Sequence, residues 1–147
     1  MRRVSSLSLL VVAAATLSAA SETNAARGND LTFKVALVPC FPVAEGDAEG
    51  EAEWEQERDG RTHVARVKIE IAGIPERAGQ ELEAVVEFLE GDIRRPFVVG
   101  GIFVGPDGRG STQATPSRVD LDGHEEMHVV VGAPPLFASD SGDCDRT

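Results

Sequence analysis

Positive charge is scarce in this chain. Its 147 residues carry 14 lysines and arginines against 25 acids, for a net charge of −11, and Lys34 and Lys68 are its only lysines. A field of that sign repels phosphate, which argues against nucleic acid and anionic membrane surfaces as default partners. Cysteine is nearly absent too. Cys40 and Cys144 are the only pair, and they form neither a C-x-x-C motif nor a Cys/His cluster, so their spacing supports no redox couple and no thiolate metal site. Past the first twenty residues, no segment is apolar for the roughly 20 residues that a membrane span needs. Nucleophile and phosphate motifs are missing as well. Ser111, Ser117 and Ser141 have no elbow around them, and Gly100-Gly101 and Gly108-x-Gly110 lack the strand-turn-helix setting of a phosphate loop. No cofactor motif and no catalytic residue stands out, so the expectation is a protein that is not an enzyme. What is present is an apolar fraction of 41%, enough for one packed domain and too high for a wholly disordered chain.

The first segment reads as a targeting signal. Met1-Arg2-Arg3 makes a short positive start, and Leu7 to Leu17 is an apolar run broken only by small polar residues. That matches the charged and hydrophobic regions of a secretory signal peptide over 1–20. Small residues at Ser18 and Ala20 fit cleavage after Ala20, and Thr23 and Ala25 fit cleavage after Ala25. Cleavage after Ala20 removes two arginines and no acid, so the mature chain is more negative than −11. The expected product is secreted or periplasmic, with no membrane span.

Export makes the cysteines interpretable, because oxidising compartments favour pairing. A Cys40–Cys144 bridge would staple the C-terminal tail to the first strand. In the chain-entropy model a loop of that length is worth about 4–5 kcal/mol. Two free thiols or an intermolecular bridge remain the alternatives.

Along the mature chain, 21–30 is small and polar and reads as a linker. A domain over 31–138 and an acidic tail over 139–147 follow. Leu31 to Val38 ends at Pro39 as a first strand should. From Ala44 to Arg58 the acids Glu45, Asp47, Glu49, Glu51, Glu53, Glu55 and Glu57 occupy every odd position. Period two is the strand period, so the acids face one way and Ala48, Ala52 and Trp54 the other, with Gly46 and Gly50 marking a bulge or frayed start. Asp59-Gly60 marks a tight turn into His63 to Ile71, where Ala65, Val67, Ile69 and Ile71 share a face. The two segments read as a hairpin, with Arg66 and Lys68 near the acidic face. Gln80 to Glu90 fits a helical stripe and a strand equally well; its strand neighbours favour strand. Phe97 to Val104, Ser111 to Thr115, Val119 to Asp122 and Met127 to Val131 complete the series, and Pro134-Pro135 stops the sheet. Seven or eight short strands with regular turns predict an all-β, antiparallel, immunoglobulin-like β-sandwich.

Three stretches carry a family resemblance: EGEAEWEQERDGRTHVARVKIEIAGIP, PFVVGGIFVGPDGRGS and VDLDGHEEMHVVV. Their order, over residues 45 to 131, resembles exported bacterial β-sandwich domains. Two such groups are the extracytoplasmic domains of anti-sigma-K factors and the chordin-type CHRD domains. The histidine-rich stretch of CHRD domains has no counterpart here, since 83–95 holds no histidine. The resemblance implies a fold and transfers no functional residue.

His124-Glu125-Glu126-Met127-His128 satisfies H-E-x-x-H, the zincin signature. That chemistry needs a helix, which brings histidines at i and i+4 together on Zn²⁺ with the adjacent Glu as general base. Here Gly123 precedes the motif, and Val129-Val130-Val131-Gly132-Ala133-Pro134-Pro135 follows it. A valine run closed by glycine and prolines predicts a strand. On a strand His124, Glu126 and His128 share a face and Glu125 points away, an arrangement that fits at most a weak metal site. Met127 could add a copper-seeking thioether to His124 and His128, but packing with Val129 and Val131 is the expectation. His63, at the head of its strand, reads as a surface histidine. The acidic strand is the other candidate, for a cation or a basic partner, although a flat ladder offers an ion only one side and a solvated outer face explains it as well. The resulting expectation is a non-enzymatic binding or envelope-associated accessory domain for an unknown protein or cation partner. Divalent-metal binding through His124, Glu126 and His128, or through the 45–57 strand, is the alternative.

Overall fold

The computed structural model describes residues 22–25, 30–42, 47–59, 62–116 and 121–145. The expected signal over 1–20, Glu45, Gly46 and the Gly60 turn position lie outside them. Among the described residues the chain is all-β, with two short 3₁₀ turns and no α-helix. The strands are β1 (Glu22–Ala25), β2 (Leu31–Pro39), β3 (Glu49–Asp59), β4 (Thr62–Ala72), β5 (Glu81–Glu90), β6 (Ile93–Phe103), β7 (Gly110–Ala114), β8 (Glu126–Val131) and β9 (Phe137–Ala138).

All pairings are antiparallel and follow one hydrogen-bonded path, β6-β5-β8-β9-β2-β3-β4-β7, with β1 added beside β2. β6 and β7, at the two ends of the path, are consecutive in sequence and meet in space. A Cβ added at Gly110 would lie 2.6 Å from Ile102 Cγ2 and 2.7 Å from the Phe103 carbonyl oxygen. The sheet is therefore rolled nearly into a barrel. The expected antiparallel all-β class holds, and one continuous ladder runs through both halves. The cause is β2. Leu31 to Leu37 pair with β3, whereas Val38 and Pro39 pair with β9 and carry the ladder into the other half.

Strand alternation decides what is buried. Phe33, Val35 and Leu37 of β2, Ala52 and Trp54 of β3, and Val67, Ile69 and Ile71 of β4 point inward. They meet Leu82, Ala84, Val86 and Phe88 of β5 and Met127, Val129 and Val131 of β8. The 80–90 segment is thus a strand, and its even-numbered apolar positions are the buried ones. Trp54 stands edge-on to Phe88 with ring centroids 4.8 Å apart, and Phe33 meets Phe88 at 5.8 Å. Each such side chain, fully buried, contributes roughly 1.5–3 kcal/mol.

Several local expectations change. Part of the 21–30 linker is a strand, because Glu22–Ala25 pair with Lys34–Leu31. Gly50 marks no bulge. It stays in register with Leu37 and Ile71 and is glycine because a Cβ there would sit 3.0 Å from the Glu70 carbonyl oxygen and 3.0 Å from Leu37 Cβ. The register shift falls instead between Ala84 and Val85, where Val99 is the extra residue and Gly100 takes φ +139°. Of the strand expected over Val119 to Asp122, Val119 and Asp120 lie outside the described residues, and Leu121 and Asp122 are not in a strand; the Leu121 main chain is bonded to a side chain instead. The sheet resumes after Pro134-Pro135 for the two residues of β9. Ser141–Asp145 is a 3₁₀ turn held against the domain, so most of the expected polar tail is part of the fold.

Candidate functional site

The H-E-x-x-H segment is built from the loop before β8 and from β8 itself. Its foundation is Gln56, an inward-facing polar residue of β3. Gln56 Nε2 donates to the Leu121 carbonyl at 3.0 Å, and Leu121 N–H donates to Gln56 Oε1 at 3.2 Å. Beyond that clasp the chain turns at Gly123, whose φ is +92°. Asp122 Oδ1 accepts from His124 N–H at 2.9 Å. This bond, the largest influence on Asp122, holds its carboxyl below the usual carboxylate range.

Glu125, the residue a zincin would use as general base, is 6% exposed and closes this turn. Its carboxylate accepts from Asp122 N–H at 3.2 Å and from Gly123 N–H at 3.0 Å. The inward parity it shares with Met127 and Val129 explains the burial. We expect Glu125→Ala to cost about 1.5–3 kcal/mol in urea unfolding, because it removes charge-assisted bonds to turn amides. Glu126→Ala, on the exposed face, should stay within about 0.5 kcal/mol of wild type. Equal effects of the two substitutions would refute this assignment.

His124, Glu126 and His128 fall on the outer side, as strand parity predicts. His124 is exposed in the loop, whereas His128 is the third residue of β8. The helical turn that would converge them is not formed. His128 Nδ1 lies 2.7 Å from Asp143 Oδ2, and its Nε2 lies 3.7 Å from Glu126 Oε2. The shorter contact is a hydrogen bond between the imidazole and the Asp143 carboxyl group. Asp143 is a buried residue of the C-terminal 3₁₀ turn, and the sequence contains no local signal for this partnership, 15 residues away. The next residue, Cys144, is disulfide-bonded to Cys40 with Cα atoms 5.2 Å apart, so the expected staple is present. Among the described residues, no group of three or more His, Cys, Asp or Glu side chains is placed to hold a metal ion. The side chain of His63 lies outside the description.

The acidic strand keeps its alternation from Glu49 to Glu57, with Ala52, Trp54 and Gln56 buried between the acids. It is not a bare anionic face, however. Strand register sets Glu53 between Lys34 and Lys68, and Glu55 beside Arg66. Lys34 Nζ reaches Glu51 at 2.9 Å, Lys68 Nζ reaches Glu70 at 3.0 Å, and Arg66 reaches Glu55 at 3.5 Å. The hydrogen bond to Glu51 raises the Lys34 pKa. Both lysines of the chain are therefore spent on neutralising this face, each exposed pair adding well under ~1 kcal/mol. Beside Glu51 and Glu70 lies an open cleft of about 770 Å³, bordered also by Glu49, Asp107, Arg109 and Ser111. No family model, curated protein or solved structure matches the chain.

Proposed function

We propose that this chain is an exported, non-enzymatic binding or envelope-associated accessory domain of immunoglobulin-like β-sandwich architecture. The observation that carries the reading is how its most suggestive segment is used. Glu125 closes a turn, and His128 holds the C-terminal turn through Asp143. Residues that would serve a hydrolytic centre are engaged in shaping the fold. The Cys40–Cys144 bridge suits an oxidising compartment and supports export. The packing of Phe33 and Trp54 against Phe88, across opposed halves of the sheet, supports the sandwich description. The contact surface of such a module is the cleft beside Glu51 and Glu70, polar, open to solvent and bordered by both signs of charge.

Calorimetric titration of the purified, oxidised protein with Zn²⁺ and with Cu²⁺, beside a peptide-hydrolysis assay, tests this reading. The expected result is neither stoichiometric metal binding nor hydrolysis. Stoichiometric binding that disappears in His124→Ala and His128→Ala would replace the proposal with a metal-binding protein. Hydrolysis abolished by Glu125→Gln would replace it with an enzyme.

A further inference from the structure

An apolar row crosses the outer face of the half formed by β6, β5, β8, β9 and the end of β2. Direct register partners join Val98 to Val85, Val85 to Val130, Val130 to Ala138, and Ala138 to Val38. The row is on the outside because the alternate positions, Ala84 and Val86 on β5 and Val129 and Val131 on β8, are the buried ones. At its open end Val98 is 58% exposed, yet Ala138 in the same row is 0% exposed.

The C-terminal turn Ser141–Asp145 lies against β9, at the Ala138 end of the row. β9 lies between β8 and β2 in the sheet, and the turn is anchored on both of those neighbours. Asp143 holds His128 on the outer side of β8, and Cys144 is bonded to Cys40, the residue after β2. Ser139 leads into the turn with two bonds to the Val129 main chain, its N–H donating to the carbonyl and its Oγ accepting from the N–H, both at 2.9 Å. The turn thus bridges from β8 to the end of β2 and contacts β9, the strand that carries Ala138.

We propose that this turn is a strap released by reduction of the Cys40–Cys144 disulfide, and that its release lengthens the exposed apolar row from Val98 through Ala138 to Val38. Both cysteines are half-buried, so an attacking thiolate can reach the bridge. A dithiol reductant supplies two electrons and two protons; the S–S bond breaks, Cys40 and Cys144 become thiols, and the reductant becomes a disulfide. The strap is then held by the His128–Asp143 pair and the Ser139 bonds. The core is untouched, because no side chain of the turn belongs to the hydrophobic cluster.

Hydrogen exchange read by mass spectrometry, on the full chain before and after treatment with dithiothreitol, tests the proposal. The amides of Gly142 and Asp143, which bond to Asp140, report on the turn. They should exchange at least ~10-fold faster after reduction, whereas the β3–β4 ladder keeps its protection. Cys144→Ser, without reductant, should reproduce the reduced pattern, and oxidised His128→Ala should retain most of the protection. Unchanged exchange at the turn after complete reduction overturns the proposal. So does loss of protection throughout β3 and β4, which would make the bridge a staple for the whole domain.

Discussion

Trp54→Ala should destabilise the domain by about 3–5 kcal/mol, the usual range for truncating a large buried aromatic. The side chain is fully buried at the centre of β3, between Phe33 on β2 and Val67 on β4 in the ladder, with Phe88 and Phe97 reaching it edge-on from the other half. Alanine leaves a cavity lined from both halves, which a nearly closed sheet cannot collapse to fill. For a domain of this size the loss corresponds to a fall in melting temperature of roughly 10–20 °C, read by circular dichroism because the substitution removes the only tryptophan. Trp54→Phe sharpens the test. Among the described residues the Trp54 Nε1–H is buried without a hydrogen-bond partner, so phenylalanine discards an unmet donor along with part of the ring. Phenylalanine should therefore recover more than half of the loss. Equal losses in the two variants would mean that packing at this position is not what stabilises the fold.

What could be read from the sequence follows from the same one-sided burial. Where one face of a strand is buried and the other wet, period two shows in the residue order, and β3 and β4 stand where the alternation puts them; β5 fitted a helical stripe equally well, and only its strand neighbours favoured the strand it forms. The alternation also reveals that Glu125 shares the inward side with Met127 and Val129. Shorter elements have no such signature. β1 has four residues and β9 two, so their strand character comes from pairing with β2 and β8, a tertiary cause. The C-terminal turn is polar and acidic; the disulfide, the His128–Asp143 contact and the Ser139 bonds that hold it impose no periodic pattern. Continuity of the sheet was equally invisible, because it depends on which neighbour Val38 and Pro39 choose after seven residues beside β3. At the candidate site the glycine, valine and proline context of the H-E-x-x-H segment already opposed a helix. Its actual partners were hidden by distance: Asp143 for His128, and Gln56 for Leu121 across 65 residues. The acidic ladder was legible as a face, and the predicted hairpin already set Arg66 and Lys68 beside it; the part played by Lys34 emerged only from the β2–β3 register.

Gln56→Glu, which exchanges one amide nitrogen for an oxygen, should cost about 3–5 kcal/mol. The amide is buried and uses both ends on one residue, donating to the Leu121 carbonyl and accepting from the Leu121 N–H. A carboxylate of the same shape can still accept, but it has no hydrogen to offer the carbonyl. It therefore sets two oxygens against each other in a site with little water to screen a charge. Gln56→Leu, which keeps most of the volume and adds no charge, loses both bonds yet should cost less, about 2–3 kcal/mol. Urea unfolding ranks the two. Hydrogen exchange locates the effect, since loosening should begin at residues 121–125, where Glu125 depends on the position of the Asp122 and Gly123 amides. A leucine variant as damaged as the glutamate would make shape, not hydrogen-bond direction, the requirement at this position. A glutamate variant as stable as wild type would mean that the clasp contributes nothing to holding the H-E-x-x-H loop on β3.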